Sequence, residues 1–143
     1  RAHYARYLVQ IGKVSNDGQA FKRYLGGGKS CFVKAEWVDI PTAIDTIHAA
    51  GGVAVIAHPM RYNMTGKWIR RLIVNFKQWG GDGMEVADSG QTKDQRQYLA
   101  RLANEYDLAA SLGSDFHFPC GWIELGKNLF LPEEVKPIWT LFE

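Results

Sequence analysis

Val53-Ala54-Val55-Ile56-Ala57-His58-Pro59 is the stretch whose reading decides the fold. Its apolar run is short and rich in β-branched residues, with Gly51-Gly52 before it and Pro59 after it, which is the pattern of a strand buried on both faces. Upstream, Pro41–Ala50 reads as a helix. Downstream, Thr65–Trp79 places Trp68, Ile69, Leu72, Ile73 and Phe76 on one helical face and stops at Gly80-Gly81. Gly83–Ala87 is the next strand. Thr92 with Gln95 forms a capping box for a helix through Tyr106, whose apolar face is Tyr98, Leu99, Leu102 and Tyr106, and Leu108–Leu112 is a third strand. In the tail, Leu129–Leu131 suggests a further strand and Glu133–Phe142 a helix interrupted by Pro137. Helix and strand alternating across short turns describe an α/β architecture, layered or barrel, with a parallel sheet. A complete (β/α) barrel takes roughly 250 residues, so three or four strands amount to about half of one.

Ahead of this part the rhythm is different. Tyr4, Tyr7, Leu8 and Ile11 form one helical stripe closed by Gly12; Ser15, Asn16 and Asp17 then cap a second short stripe of Ala20, Phe21, Tyr24 and Leu25, ended by Gly26-Gly27-Gly28. We therefore divide the chain into a small helical segment, residues 1–40, and an α/β part, residues 41–143. The 143 residues are 46% hydrophobic and 22% charged, which suits a folded core and excludes a disordered chain. A net charge of +2 forces neither a polyanion nor a membrane surface as partner, so any phosphate affinity has to be local. Two well-separated cysteines, Cys31 and Cys120, and the lack of an apolar run near the 20 or so residues of a membrane span favour a reduced, cytoplasmic protein. The chain opens at Arg1, without an initiator Met and inside a helical pattern, as a piece of a longer protein would.

In parallel α/β proteins, functional groups gather just past the carboxyl ends of strands. The first strand delivers His58-Pro59, the second carries Glu85 and delivers Asp88, and the third delivers Gly113-Ser114-Asp115-Phe116-His117. A histidine after one buried strand and an Asp-x-His after another supply imidazole and carboxylate donors of the kind that hold Zn²⁺, Mn²⁺ or Fe²⁺. Either feature alone is commonplace; their placement at equivalent strand ends gives them weight. Arg61, on the same loop as His58, is either a bidentate clamp for phosphate oxygens or a solvated loop arginine. Gly28-Lys29-Ser30 matches the end of a P-loop, but Arg23 stands where its first glycine belongs, and the residues after Ser30 read as strand rather than helix. Ser114 beside Asp115 and His117 makes no nucleophilic triad, because neighbours in an extended segment point to opposite faces. His48 reads as a boundary residue of a packed helix face.

Taken in order, Arg1-Ala2-His3-Tyr4-Ala5-Arg6-Tyr7-Leu8, Phe21-Lys22-Arg23-Tyr24-Leu25, Ile56-Ala57-His58-Pro59-Met60-Arg61-Tyr62, Gly83-Met84-Glu85-Val86-Ala87 and Gly113-Ser114-Asp115-Phe116-His117 resemble the polymerase-and-histidinol-phosphatase (PHP) family of metal-dependent phosphoesterases. Within it the likeness is to the bacterial 3′,5′-nucleotide bisphosphate phosphatases that also act as 5′-to-3′ exoribonucleases. The resemblance implies the carboxy-terminal half of a distorted (β/α)7 PHP-type barrel with a small helical insertion at the start. It implies His58, Asp115 and His117 as metal ligands, with Asp115 and His117 central to catalysis. Arg1, Arg61 and His3 become positions for substrate phosphates, and Glu85 a carboxylate supporting the ligands from behind. It further implies divalent metal ions, Mn ahead of Zn, Fe or Mg, and a nucleotide or 5′-phosphorylated RNA as substrate. The family's early His-x-His motif, the following Asp and His, its bridging Glu and a further His have no counterpart among these residues. The resemblance therefore assigns the activity to a parent protein and leaves the 143 residues inactive alone.

Two other readings stand beside this one: a small-molecule phosphate monoesterase of the histidinol phosphatase kind, and a non-catalytic half-domain that binds nucleic acid or a partner. Half a parallel sheet also leaves open edges, with Val53–Ala57 the first candidate, so a homodimer or larger oligomer is expected unless the first helices fold back over the chain.

Overall fold

The computed structural model describes residues 1–117, 119, 121 and 123–142, and the chain divides into two compact units, Arg1–Trp37 and Val38–Glu143. In the first, α1 (Ala2–Gln10) is followed by a turn in which Gly12 takes a φ of +68°, a conformation that costs a side chain energy. The short α2 (Asp17–Ala20) starts at Asn16, whose side chain accepts the Gln19 N–H at 3.0 Å. The expected second stripe then departs from α geometry: Phe21–Leu25 is a π-helical turn, closed by the Gly26 N–H on the Phe21 carbonyl at 2.8 Å. A Cβ on Gly26 would come within 2.7 Å of that carbonyl oxygen, so the tight closure requires glycine.

Periodicity misleads about which face of α1 goes inside. Tyr4, Tyr7 and Ile11 are exposed, while Ala5 is fully buried with Val14, Ala20 and Leu25, and Leu8, Val9 and Tyr24 pack against that small cluster. Ala5 and Ala20 explain the rotation, since α1 packs on α2 and small side chains permit the closest helix approach. Residues 32–39, expected to begin as strand, form no regular element.

The second unit follows the α/β reading closely. It contains α3 (Ile40–Ala49), β1 (Val55–Ile56), a 3₁₀ turn (Pro59–Arg61), α4 (Gly66–Gln78), β2 (Gly83–Asp88), α5 (Lys93–Glu105), β3 (Ala109–Gly113) and a closing 3₁₀ turn (Ile138–Leu141). The strands form an open sheet in the order β1-β2-β3, parallel throughout, with Val55 opposite Gly83 and Gly83 opposite Ala109. All six residues of β2 are buried, as a central parallel strand covered on both faces should be. Ile69, Ile73 and Phe76 of α4 and Leu99, Leu102 and Ala103 of α5 join Met84, Val86 and Ala110 in the core. Trp68, assigned by periodicity to the buried face of α4, is instead exposed, with the Arg71 guanidinium 5.2 Å from its ring centre. The capping box of α5 forms with both bonds in place, the Gln95 N–H to Thr92 Oγ1 at 3.2 Å and the Thr92 N–H to Gln95 Oε1 at 3.0 Å.

β1 is shorter than the expected Val53–Ala57 because carboxylates replace ladder bonds at its two ends. The Ala54 N–H goes to Asp82 Oδ2 at 2.7 Å and the His58 N–H to Glu85 Oε2 at 2.6 Å. Asp82 Oδ2 also receives His48 Nε2–H at 2.7 Å, so His48 ties α3 to the start of β1 and acts structurally. The tail forms neither the strand at Leu129–Leu131 nor the helix from Glu133. Pro137 makes a parallel bridge with Ala110, and the Ala110 N–H bonds to the Lys136 carbonyl at 2.7 Å, so proline ends the helical option and the segment lies along β3. Among the described residues no helix is long and apolar enough to cross a membrane. Cys31 is an exposed free thiol; Cys120 lies outside the described residues.

Candidate functional site

The carboxyl ends of the three strands carry the chemistry of the second unit. His58, one residue beyond Ala57, has left-handed backbone angles of φ 31° and ψ 58°. For a side-chain-bearing residue this costs about 1–2 kcal/mol, which the bond from its N–H to Glu85 helps to offset. Its ring meets Tyr62 edge-on at 5.8 Å, and its Nδ1 is buried without a hydrogen-bond partner. A buried nitrogen of that kind is costly unless a ligand takes it up.

Asp88, at the end of β2, is only 2% exposed. Its carboxylate is satisfied by the Gly90 N–H at 2.7 Å and by a fork from Arg61, Nη2 to Oδ1 at 3.2 Å and Nε to Oδ2 at 3.3 Å. Arg61 also donates through Nη1 to Asp115 Oδ2. Gripped first by the Asp88 hydrogen bonds, and by the charges of Asp88, Asp115 and Glu85, the guanidinium is held more firmly protonated than an ordinary arginine. Arg96, buried on α5, reaches the Asp88 carbonyl at 3.3 Å and the Asn128 carbonyl at 3.1 Å beneath the Phe130 ring. Burial, only partly countered by the His58 N–H, pushes the Glu85 carboxyl up. The same burial, with Glu85 close by, raises the Tyr62 phenol. A Cβ on Gly113 would stand 2.8 Å from Glu85 Oε1, so glycine there leaves room for that carboxylate.

Beyond β3, Asp115 is a second strand-end residue in the left-handed region, with φ 53°. Its Oδ2 faces Arg61, and its Oδ1 lies 3.7 Å from His117 Nδ1. His117 Nδ1 also bonds to the Asp115 carbonyl at 2.8 Å. A carbonyl only accepts, so Nδ1 carries the proton and the Nε2 lone pair of the neutral ring stays available. Ser114 takes part through its carbonyl, which accepts from Ser89 Oγ at 2.9 Å and links the ends of β2 and β3.

The structure therefore brings Arg61, Asp88 and Asp115 into one ion-paired group, sets Glu85 against the backbone of His58, and places His117 beside Asp115. Arg1 and His3 belong to the first unit, both exposed, with the Arg1 guanidinium 4.9 Å from the centre of the Phe32 ring. The sequence places Asp88 at its strand end without a role, and does not single out Arg96. A signal for Asp88 existed: a strand ending in Asp-Ser-Gly marks a carboxylate that caps its own turn. Nothing local in an amphipathic helix announced Arg96.

The donors suit a divalent metal chemically, in His58 Nδ1, Asp115 Oδ1 and the free lone pair of His117. Their number does not suffice: among the described residues no three His, Cys, Asp or Glu side chains gather closely enough to hold an ion. Any metal centre built on this chain needs further donors.

No family model matches the chain. Curated relatives do, along its whole length. It is 80% identical over 142 residues to a 5′-3′ exoribonuclease of Haemophilus influenzae, covering 99% of this chain and 52% of that protein. It is 50% identical to the 5′-3′ exoribonuclease Rnm of Escherichia coli, covering 100% of this chain and 49% of that one. Against the 3′,5′-nucleoside bisphosphate phosphatase of Chromobacterium violaceum the identity is 42%, covering 100% of this chain and 50% of the relative. Among solved structures, an amidohydrolase from Chromobacterium violaceum with bound sulfate and no metal aligns with a TM-score of 0.78 at 41% identity, over 96% of this chain and 48% of that one. A metal-dependent phosphoesterase from Bifidobacterium adolescentis aligns with a TM-score of 0.62 at 27% identity, over 98% of this chain and 47% of that one. The chain spans about half the length of the curated relatives it matches. Along all of its own length the chain is thus similar to exoribonucleases, a bisphosphate phosphatase and a metal-dependent phosphoesterase, in keeping with the PHP resemblance of its motifs and with the histidines and aspartates at its parallel strand ends.

Proposed function

We propose that this chain is the carboxy-terminal half of a cytoplasmic, metal-dependent phosphoesterase that acts on nucleotides or RNA, as a 3′,5′-bisphosphate nucleotide phosphatase and 5′-to-3′ exoribonuclease. The observation that carries the reading is the strand-end group: the buried, unpartnered His58 Nδ1 and the Asp115–His117 pair, organised by one arginine. His58, Asp115 and His117 would hold divalent metal, manganese ahead of zinc, iron or magnesium, together with donors from the remainder of a barrel. When bound, the metal supplies Lewis acidity and an acidified water.

The rest follows from the chain's own groups. Glu85 fixes the His58 backbone in its left-handed turn and Tyr62 packs against the ring, so the imidazole is oriented before any ligand arrives. Arg61 grips Asp88 with one edge and Asp115 Oδ2 with Nη1, leaving Asp115 Oδ1 turned toward His117. Asp88 thereby acts as the anchor that sets Arg61, and a partly exposed guanidinium so anchored can steady the oxygens of a transferring phosphoryl group. Arg1 and His3 would bind a further substrate phosphate.

The full-length protein, assayed with a 3′,5′-bisphosphorylated nucleotide, a sugar phosphate and a 5′-phosphorylated RNA, should turn over the first and third and spare the second. Preference for the sugar phosphate would favour a small-molecule monoesterase, and no turnover would favour a binding half-domain. The 143 residues alone should be inactive and should associate through the open edge of β1, which light scattering at micromolar concentration would register; a clean 16.1 kDa monomer would contradict the association.

A further inference from the structure

Charge is distributed very unevenly along the chain. Residues 1–37 hold seven Lys or Arg against two Asp or Glu, whereas residues 38–143 hold ten against thirteen. The modest overall positive charge thus conceals a small, strongly cationic unit and an acidic remainder. On the cationic unit, two large rings that ordinarily find cover are open: Trp37 is 87% exposed and Tyr4 69%. Both line one groove of about 490 Å³, with Arg1, Leu25 and Val33. That volume lies in the range of about 300–1,000 Å³ typical of ligand sites, although only a single nucleoside unit would fill it well.

Exposed rings, a groove and surrounding cations are the elements by which proteins hold single-stranded nucleic acid: bases stack on the rings and the backbone is drawn in by the charge. An apolar protein partner would explain Trp37 and Val33 but neither Arg1 in the groove lining nor the excess of lysine and arginine in the same unit. Resting on the activity proposed above, we infer that the groove of the Arg1–Trp37 unit stacks a base of single-stranded RNA other than the nucleotide whose ester is cleaved. Arg1 lines the same groove, so a phosphate held by Arg1 brings the neighbouring base to Trp37 and Tyr4. The unit then confers affinity for a strand over a mononucleotide, and leaves the chemical step alone.

The test uses the full-length protein with two substrates, a 5′-phosphorylated ten-nucleotide single-stranded RNA and a 3′,5′-bisphosphorylated mononucleotide. Trp37→Ala should raise KM for the RNA about tenfold with kcat within about twofold, and leave kcat/KM for the mononucleotide within about twofold. Trp37→Phe, which keeps a ring, should behave as wild type, and Trp37→Leu, which keeps only apolar bulk, should behave as Trp37→Ala. Lys22→Glu with Lys34→Glu should flatten the dependence of RNA KM on salt. Because Trp37 is so exposed, these variants keep their fold, which thermal melts verify. An unchanged RNA KM in Trp37→Ala, an equal loss on both substrates, or a wild-type-like Trp37→Leu would overturn the inference. Anisotropy of the labelled RNA without added metal separates this failure from that of the proposed activity: about tenfold weaker binding by Trp37→Ala supports the groove even without turnover. Absence of RNA binding by the wild type, or a Trp37→Ala defect confined to anionic phosphatidylserine vesicles, overturns it.

Discussion

The two units of this chain solve opposite problems with similar helices. Unit Arg1–Trp37 buries small residues, Ala5, Val14, Ala20 and Leu25, and leaves Tyr4, Tyr7 and Trp37 outside. Unit Val38–Glu143 buries large branched and aromatic residues, Ile44, Ile69, Ile73, Phe76, Leu99 and Leu102, and gathers its charges at the strand ends. The difference shows that apolar side chains mark a core only where enough of them can converge. A unit of 37 residues has too little interior to cover its own rings, and those rings become surface. The larger unit tolerates buried ions, Asp88 and Arg96, because its core stabilises the whole.

The comparison would break most decisively at the strand ends. In the full-length protein, Asp115→Ala should lower kcat on the order of a thousandfold or more, whereas Arg61→Ala should chiefly raise KM, since losing a proposed metal ligand removes the nucleophile and losing one cation leaves others. Steady-state kinetics on the bisphosphorylated nucleotide would decide. Equal losses would place Arg61 in the transition state, and a near-normal kcat for Asp115→Ala would remove it from the ligand set. Next in size are the cores. Ile73→Ala, at a fully buried position, should cost about 2–5 kcal/mol in urea unfolding, while Tyr7→Ser on the open face of α1 should stay within about 0.5 kcal/mol. A large loss at Tyr7 would mean that the ring is covered in solution.

Thr92→Ala removes one arm of the capping box of α5 and should cost about 1 kcal/mol, while Thr92→Ser should restore most of it. The smallest effect is one of pH. Hydrogen bonding from Thr42, its side chain first and its backbone N–H next, holds the Asp39 carboxyl below its ordinary value of 3.8. The folded pKa is depressed, so this group contributes stability above the ordinary value and loses it as pH falls through the folded value. Asp39→Asn should lower stability slightly at about pH 7 and converge on the wild type as pH falls well below about 4; a difference that persists undiminished in acid would show that the cap does not act through its charge.

Much of the second unit was legible because its signals are local and redundant. The capping residues of α5, the glycines after α4 and the β-branched run before His58 each specify their element without help from distant residues. The strand-end position of His58, Asp88, Asp115 and His117, and Glu85 within its strand, follow from that same alternation, and the PHP likeness was carried by those motifs. Three features were not legible. Periodicity marks a stripe on α1 but not which neighbour is small enough to approach it, so the buried face turned out to be that of Ala5. The tail lost its expected strand and helix to a single bridge, because Pro137 pairs with Ala110 only once β3 is in place. The grip of Arg61 on Asp88 and Asp115 joins residues 27 and 54 positions apart.

Composition and local pattern by themselves determined the element types, the parallel α/β order and the residue types offered at the strand ends, since these depend on interactions within a few residues. Only the tertiary structure decided which carboxylate each arginine holds, which histidine nitrogen is left with a lone pair, and which aromatic rings stay in water. Those outcomes depend on distances between segments remote in sequence, where burial and pairing are settled together and no single stretch of chain carries the answer.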